Sequence, residues 1–408
     1  MVPLAVLALV WQVWSVADRK PSTFLVSYWY VTWDHGFVRR GLLGEINQLF
    51  FGDDLLNGAL LLSRIVAGLS AATVAVVVFL LFRRGTALAV GVGWVLLISP
   101  FTIKGLINFA RPDQLAVPMM LLIGLVWWRR PQRPVVPLFL LGLGFAVVVL
   151  AHEAVVLMYA PWILLLIVHF SRHARWPVLV GRVAAFFAVP ALFTLAVLDR
   201  GAATKKQVKL FKEDAEPTLP KGNNMLNYIG DSTSDSMEMV LRFGVDNMIG
   251  MIVVGLALWL LHLLAMRLVP GMPLLPSRPV TLVLVGVVLP AFAVQSILAI
   301  DWQRWFALWM GMAVLTYGIV LIASPRPSRW GPPPQVTGED ARWSTTRIIG
   351  LVCCCVLLTL VPISSANNKL PCSWDYLIRE TPFPFQRVGD LVTGDEHTYK
   401  VIKCKDKD

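Results

Sequence analysis

The sequence predicts an all-α protein that crosses a membrane about eleven times, and three observations lead to this prediction. The 408 residues are 57% hydrophobic and only 15% charged, whereas soluble domains contain ~25% charged residues. Apolar segments close to the ~20 residues that a ~30 Å hydrocarbon core requires recur along the whole chain. Short arginine-bearing loops separate alternate pairs of these segments, as cytoplasmic loops do in membrane proteins.

The predicted spans begin at the N-terminus of the sequence. The first span follows no Lys or Arg and lacks a clear cleavage site, so we expect a retained helix rather than a secretory signal. The apolar stretch 135–170 is too long for one span and is interrupted only by His152 and Glu153, so we predict two short spans there. The eleven predicted spans are 1–17, 58–82, 86–103, 113–128, 135–151, 154–170, 176–198, 246–266, 279–300, 303–323 and 347–365.

Alternate counting from a cytoplasmic N-terminus leaves the short arginine-bearing loops inside and the C-terminus outside. For the second outer loop, a solvated and partly disordered segment is favoured over a lid that closes on a site. Cys372 and Cys404 lie in the C-terminal tail, where pairing in an oxidising compartment and free thiols are both open. The predicted organisation is a transmembrane domain at 1–365, with a first outer loop carrying surface helices at 18–57, a second outer loop at 199–245 and a cytoplasmic linker at 324–346, followed by a small extracytoplasmic tail at 366–408.

The charged residues are distributed unevenly between the two predicted sides. The net charge is +11, but the 36 basic residues are spread through many loops rather than gathered on one face, which argues against a nucleic-acid partner. Of the 25 acidic residues, only Glu339 and Asp340 fall on the arginine-rich side, and the other 23 lie at span ends or in loops on the outer side. Carboxylates concentrated at one mouth of an apolar bundle indicate chemistry or ion binding there.

The first outer loop contains the densest polar motif of the chain. The segment from Trp33 to Gly41 reads WDHGFVRRG and is followed by Glu45. Gly36 and Gly41 bracket the motif and permit tight turns. Apolar residues then recur at near-helical spacing, which predicts an amphipathic helix along the membrane surface; they are Leu42, Leu43, Ile46, Leu49 and Phe50.

Three further polar clusters are predicted at the same outer side. Asp113 follows Pro112 at the start of a span, where it would stabilise a helix N-terminus, while Arg111 opposes the positive-inside tendency and needs Asp113 or a ligand phosphate as its partner. The remaining two clusters are His152 with Glu153, and Asp301 with Arg304. A structural ion pair between Asp301 and Arg304, three positions apart, is as plausible as a role in a site.

Together the four clusters indicate a site for a phosphorylated substrate. Arginines bind phosphate in forked geometry, and carboxylates act as general bases. The sequence has no His and Cys spacing typical of a metal site and no phosphate-cradling glycine loop for a nucleotide. An enzyme working outside the cytoplasm would use a lipid-carried substrate instead.

The layout resembles the GT-C type of membrane glycosyltransferases, which use polyprenyl-phosphate sugars outside the cytoplasm. The resemblance rests on the many spans, the long first outer loop with surface helices, and the acidic Asp34 early in that loop. The segment GFVRRGLLG, residues 36–44, also looks like a motif of bacterial polytopic proteins of surface-polysaccharide pathways. The chain departs from the type in two ways, since its first loop has no Asp-x-Asp and it lacks a large C-terminal soluble domain.

The resemblance implies a glycosyltransferase in the bacterial cytoplasmic (inner) membrane that moves a sugar from a lipid-linked donor to a glycan or glycolipid acceptor with inversion. It implies Asp34 as the base; the phosphate-binding residues would be Arg39, Arg40, Arg111 and Arg304, and the orienting residues His35, Glu45, Asp113, His152, Glu153 and Asp301. A need for Mg²⁺ or Mn²⁺ is left open. The alternatives are a polysaccharide polymerase of the O-antigen or capsule type, a lipid or solute transporter, and a non-catalytic scaffold.

Overall fold

A computed structural model describes most of the chain, and the account below is confined to the residues that it describes. The predictions for the first span, the linker from 324 to 342, the tail at 366–408 and Asp301 lie outside them. The described residues are 23–99, 101–102, 111–129, 132–219, 225–231, 235, 238, 245–271, 278–298, 302–323 and 343–360.

Every regular element within those ranges is a helix. The described part of the protein is therefore all-helical, as predicted. Short 3₁₀ turns cover Ser27–Tyr30, Pro112–Leu115 and Met225–Asn227, and a π turn covers Leu284–Val288. The α-helices are α1 (Thr23–Val26), α2 (Gly41–Phe51), α3 (Leu55–Arg84), α4 (Ala87–Ile98), α5 (Ala116–Arg129), α6 (Val135–Ala151), α7 (Val155–Met158), α8 (Ala160–Ser171), α9 (Trp176–Arg200), α10 (Lys205–Ala215), α11 (Val245–Leu268), α12 (Arg278–Val283), α13 (Leu289–Leu298), α14 (Trp302–Ala323) and α15 (Thr345–Leu360).

Among the described residues, three helices are long and apolar enough to cross a membrane by themselves, namely Leu55–Arg84, Trp176–Arg200 and Trp305–Ala323. At a rise of 1.5 Å per residue, the 30 residues of α3 extend to ~45 Å, which exceeds the ~30 Å hydrocarbon core. The number of crossings stays a prediction. The interrupted stretch 135–170 is broken at the predicted point, because His152 has extended backbone angles immediately after α6.

Apolar side chains of α3–α6, α8, α9 and α11–α15 form one continuous core. Helices α6 and α9 approach each other closely, so that a Cβ added to Gly142 would lie 2.3 Å from the carbonyl oxygen of Phe186. Helix α9 is otherwise peripheral, since only 11% of the residues in its apolar stretch are buried. A peripheral apolar helix in a membrane protein faces lipid.

A second, smaller core joins the first loop (residues 18–57) to the second loop (residues 199–245). Helix α2 presents Leu43 and Asn47 to this protein interior, while Leu49 and Phe50 at its C-terminal end stay exposed. The helix is thus apolar on both its buried face and its free end. This arrangement suits the predicted position at a membrane surface.

The second loop is more ordered over residues 201–219 than the sequence led us to expect. Helix α10 begins with a capping box in which Thr204 and Gln207 each satisfy a backbone N–H of the other residue. Its Phe211 and Ala215 are buried against the first loop, and its lysines face outward. The alternation of lysine and acidic residues therefore marks the outer face of a packed amphipathic helix, not a solvated segment.

Candidate functional site

An ion pair between Arg40 and Glu153 lies at the centre of the candidate site. The Arg40 Nε donates to Glu153 Oε2 at 2.8 Å, and its Nη2 donates to Oε1. Both side chains are only 15% exposed. A forked arginine–carboxylate contact of this kind is among the stronger polar interactions in proteins.

The backbone of Arg40 is held in an unusual conformation. Its φ of 68° makes it the one non-glycine residue with positive φ in the described part of the chain, and it directly precedes α2. Such a conformation costs of the order of 1–3 kcal/mol. The surrounding contacts must therefore offset this cost, and the pairing with Glu153 is the strongest of them.

The predicted glycines of the motif shape the turn that carries Arg40. Gly36 has φ of 102°, which residues with a Cβ rarely adopt. Gly41 lies under the indole of Trp33, and a Cβ there would meet that ring at 2.2 Å. The same indole donates from Nε1 to the Val38 carbonyl at 3.0 Å, which closes the turn.

His152 is buried beside this ion pair. It is 3% exposed, and its ring centroid lies 5.4 Å from that of Tyr28. Tyr28 also contacts the Arg40 guanidinium, which lies 5.5 Å from the centroid of its ring. Neither His152 ring nitrogen has a hydrogen-bond partner within the described residues. A buried imidazole without a partner is available to a ligand.

The electrostatics of the pair and of His152 follow from burial and from these neighbours. Burial lowers the pKa of His152 to about 3, and the positive charge of Arg40 adds to this effect, so the ring is neutral at pH 7. Burial alone would raise the pKa of Glu153, but the charge and hydrogen bonds of Arg40 outweigh it and hold the pKa below the usual range. Glu153 is therefore ionised at any physiological pH.

Arg111 and Asp113 complete the buried group. Arg111 Nε lies 3.7 Å from Asp113 Oδ1, which identifies Asp113 as a partner of Arg111, one of the two candidates that the sequence left open. Asp113 also belongs to the 3₁₀ turn that leads into α5, so it combines a helix-start position with the ion pair. The Asp113 carboxylate is close enough to act electrostatically on Arg40.

Arg39 connects the two loops above this group. Its backbone N–H donates to the Gly201 carbonyl at 2.8 Å, and its Nη2 donates to the Asp231 carbonyl at 2.6 Å. Its Nη1 lies 3.8 Å from Glu153 Oε1. The resulting charged cluster consists of Arg39, Arg40, Arg111, Asp113, His152 and Glu153.

Three predicted site residues lie in the first loop with partners outside the charged cluster. Asp34 is exposed and accepts a hydrogen bond from Thr32 Oγ1 at 3.0 Å. His35 pairs with Asp214 of α10 at 2.6 Å, and Glu45 accepts the backbone N–H of Trp33 at 2.5 Å. Within the described residues, no hydrogen bond or ion pair joins Asp34 to the charged cluster. The predicted base and the predicted phosphate ligands are thus neighbours along the chain without direct contact.

Charge in the cluster is nearly, but not fully, balanced. Three arginines face two carboxylates, and His152 is neutral. Within these six residues one positive charge is in excess, and the Asp231 carboxylate of the second loop also acts electrostatically on Arg39. Arg304 lies on α14, and its side chain is outside the described part of the structure. No group of three or more His, Cys, Asp or Glu residues positioned for a metal occurs in the described ranges.

A polar contact inside the helical bundle was missed by the sequence reasoning. His262 of α11 is fully buried, and its Nδ1 donates to the Leu258 carbonyl at 2.8 Å. Its Nε2 therefore accepts a hydrogen bond from the hydroxyl of Ser99, at 3.1 Å. The signal in the sequence was a single histidine within the otherwise apolar stretch 248–266 of this helix.

The helices, the apolar periphery and the buried charged cluster are those of a helical membrane protein. The chain belongs to the family described as uncharacterised membrane protein Rv1490, whose model matches residues 1–212. Similar proteins include uncharacterized protein Rv1490 of Mycobacterium tuberculosis and uncharacterized protein Mb1527 of Mycobacterium bovis, each 25% identical over 405 residues that cover 88% of this chain and 88% of the relative. No solved structure matches the chain. The whole charged cluster lies inside the segment that the family model matches.

Proposed function

We propose that this protein is a membrane glycosyltransferase that transfers a sugar from a polyprenyl-phosphate carrier to a glycan or glycolipid acceptor, with inversion at the anomeric carbon. The proposal includes a GT-C-like arrangement of about eleven spans in the bacterial cytoplasmic membrane. The N-terminus would lie in the cytoplasm, and the first loop, the second loop and the C-terminus would lie outside.

One observation carries the proposal: three largely buried arginines, Arg39, Arg40 and Arg111, gather at the base of the loop that presents the exposed carboxylate of Asp34. The leaving group of such a transfer is a phosphate that gains negative charge in the transition state. Arginines fixed in a place of low dielectric stabilise such charge more effectively than arginines in water. The carboxylate of Asp34 remains accessible to an acceptor that arrives from the solvent.

The residues would take the following roles. Asp34 accepts the proton of the acceptor hydroxyl while the oxygen of that hydroxyl forms a bond to the anomeric carbon. The bond between the anomeric carbon and the carrier phosphate breaks, and its electron pair leaves with the phosphate. Arg40 uses Nε and Nη2 on Glu153, which leaves its Nη1 protons for the phosphate. Glu153 therefore positions Arg40 rather than the acceptor. Neutral His152 would accept a hydrogen bond from a substrate hydroxyl.

The other candidate residues support this site from its edges. Arg39 and Arg111 add positive charge, and Arg304 would contribute from α14. His35, Glu45, Asp113 and Asp301 would orient the loop or the acceptor. A divalent cation, Mg²⁺ or Mn²⁺, would be a further ligand of the phosphate and can be tested by adding a chelator. Along the second loop, a groove of about 940 Å³ between α10 and Asp231 offers the acceptor a route to Arg39.

Transfer from a radiolabelled polyprenyl-phosphate sugar to cell-envelope glycolipids, catalysed by purified protein in lipid nanodiscs, tests the proposal. General-base catalysis typically contributes ~10²–10⁴-fold, so Asp34→Asn should lower the rate by this factor. Asp53→Asn is the matched control, because Asp53 is exposed in the same loop. Undiminished transfer by Asp34→Asn would remove Asp34 from the mechanism, and absence of transfer with every tested donor would sink the proposal.

Two alternatives use different substrates. A polymerase would use the same arginines on larger lipid-linked repeat units, and the product length distinguishes it from a single-sugar transferase. A transporter is favoured only by the Ser99–His262 contact inside the bundle, since transporters carry polar groups near the membrane midplane. Uptake of a labelled solute or lipid by proteoliposomes, lost in His262→Phe, would support that alternative.

A further inference from the structure

An arginine lies inside the apolar part of α9, away from the candidate site. Arg182 follows Trp176, the first residue of the helix, by six positions, which corresponds to ~9 Å along the axis. Only 11% of the apolar window of this helix is buried, so Arg182 lies on a helix that faces lipid. A charged residue at this depth extends its side chain towards the interface and takes a polar partner there.

The contacts of Arg182 show the direction of its side chain. Its Nη1 donates to the hydroxyl of Ser171, the last residue of α8, at 3.1 Å, and its guanidinium lies 6.0 Å from the ring of Trp127 near the end of α5. Its Nε is buried and has no hydrogen-bond partner within the described residues. The guanidinium thus points towards the helix ends with one donor unused.

Two more arginines follow the contacts of Arg182 along the chain, Arg172 next to Ser171 and Arg129 two residues after Trp127. Arg172 follows α8 and donates from Nη1 to His169 Nε2 at 2.7 Å, and Arg129 ends α5 with its guanidinium 5.5 Å from the ring of Trp128. In the sequence, the only acidic residue between Asp113 and Asp199 is Glu153, which is engaged by Arg40 at the opposite end of α6. No acidic residue of α5, α6, α8 or α9 therefore balances the charges of Arg129, Arg172 and Arg182 at this end of the bundle.

Two exposed tryptophans mark the level of the membrane interface at the same end. Trp128 and Trp176 are both exposed at the ends of their helices, where tryptophan typically lies at the headgroup region. Between this level and Arg182, the surface of α9 is apolar, with Val178 and Val180 exposed. A ligand there meets positive charge at its head and an apolar surface below it.

We propose that Arg129, Arg172 and Arg182 form a binding site for the phosphate headgroup of an anionic phospholipid, with the acyl chains lying along α9. Charge complementarity selects an anion, and the apolar surface next to the arginines selects a lipid over free phosphate. The site lies at the opposite end of the bundle from the charged cluster. It does not depend on the proposed glycosyl transfer.

Native mass spectrometry of delipidated protein in a neutral detergent, titrated with phosphatidylglycerol or with phosphatidylcholine, tests this site. We expect phosphatidylglycerol to bind more tightly than phosphatidylcholine. Arg182→Gln should weaken its binding about fivefold, because one arginine near a membrane surface contributes about that much. Arg200→Gln at the far end of the same helix is the matched control and should leave binding unchanged.

Further measurements separate a lost site from a misfolded protein and from a different ligand. Arg172→Gln, which changes an exposed side chain, should also weaken phosphatidylglycerol binding while leaving the melting temperature in the neutral detergent unchanged. Equal binding of the two lipids, or equal loss in Arg182→Gln and Arg200→Gln, would overturn the proposal. Full displacement of phosphatidylglycerol by inorganic phosphate at about 10 mM, a usual buffer concentration, would assign the site to free phosphate instead.

Discussion

Replacing Glu153 with glutamine tests the central contact of the charged cluster. Glutamine preserves the shape of the side chain but removes the negative charge, so the buried guanidinium of Arg40 loses its counter-charge. Removing one partner of a buried ion pair typically costs ~3–5 kcal/mol. The backbone strain at Arg40, ~1–3 kcal/mol, is present in both proteins and therefore adds nothing to this difference.

The expected loss corresponds to a fall in melting temperature of roughly 10 °C, by the scaling known for large soluble domains. It can be measured by fluorescence-detected size-exclusion chromatography after heating, in detergent at pH 7.5. Glu213→Gln is the matched control, since Glu213 pairs with Lys209 at 3.6 Å on the exposed face of α10. An exposed pair at this spacing contributes ~0.3–0.5 kcal/mol, so this variant should melt close to the unsubstituted protein.

The double variant Arg40→Gln/Glu153→Gln extends the test. Because it removes both charges, it should be more stable than Glu153→Gln alone, with a coupling energy of ~1–3 kcal/mol between the two positions. If Glu153→Gln melts at the same temperature as Glu213→Gln, Arg40 has no need of Glu153 and the buried ion pair is wrong.

Three further predictions follow from the same region. Gly41→Ala would place a Cβ against the Trp33 indole and should lower the free energy of unfolding by ~1–3 kcal/mol. Gly68→Ala is the control, because its Cβ would enter open space and should not destabilise the protein. Equal melting temperatures of the two variants would contradict the close packing at Gly41. The pKa of His152 is about 3 in the folded state and ~6.5 in the unfolded state, so the unfolded state binds more protons at intermediate pH. The free energy of unfolding should therefore fall as the pH drops from about 6.5 towards 3, by up to ~1.4 kcal/mol per pH unit. His152→Asn should flatten this dependence, and an unchanged slope would show that another group causes it. Gln207→Ala removes both the capping box and the bond to the His35 carbonyl, and should increase amide exchange across α10, measured by hydrogen–deuterium exchange; unchanged protection would show that α10 is held by its apolar face alone.

Much of the helical layout could be predicted from the sequence. The predicted segments 135–151 and 176–198 correspond to helices Val135–Ala151 and Trp176–Arg200. This agreement has a local cause, because Pro134, Arg175 and Pro177 interrupt long apolar runs where a helix begins. The amphipathic helix after the WDHGFVRRG motif was also predicted, and α2 occupies those residues.

Prediction of the site was less complete. The sequence indicated that Arg40, Arg111, Asp113, His152 and Glu153 belong to one end of the bundle, but it assigned Arg40 to a phosphate and Glu153 to an acceptor. The contact between the two is visible only in the structure, because they are separated by 113 positions. Ion pairing depends on distances of a few ångströms and on burial, neither of which sequence spacing specifies across separate helices.

The structure of the second loop was also not predicted from the sequence. Its lysines and acidic residues were interpreted as a solvated segment, although Phe211 and the Thr204–Gln207 pair were present in the sequence. Their meaning depended on a surface for Phe211 to pack against, which the first loop supplies through His35 and its neighbours. An amphipathic helix is stable when its apolar face has a partner, and that partner lies more than 150 positions away in the chain.

The sequence by itself determined that this chain is helical and belongs in a membrane, because only helices satisfy the backbone hydrogen bonds of such long apolar segments inside lipid. It also predicted that most carboxylates collect at one end of the bundle. The tertiary structure alone decided that Glu153 neutralises Arg40, that His152 is left without a hydrogen-bond partner in the described structure, and that Ser99 meets His262 inside the bundle. These outcomes depend on which helix faces come within 3–4 Å of each other, and that is a property of packing rather than of sequence pattern.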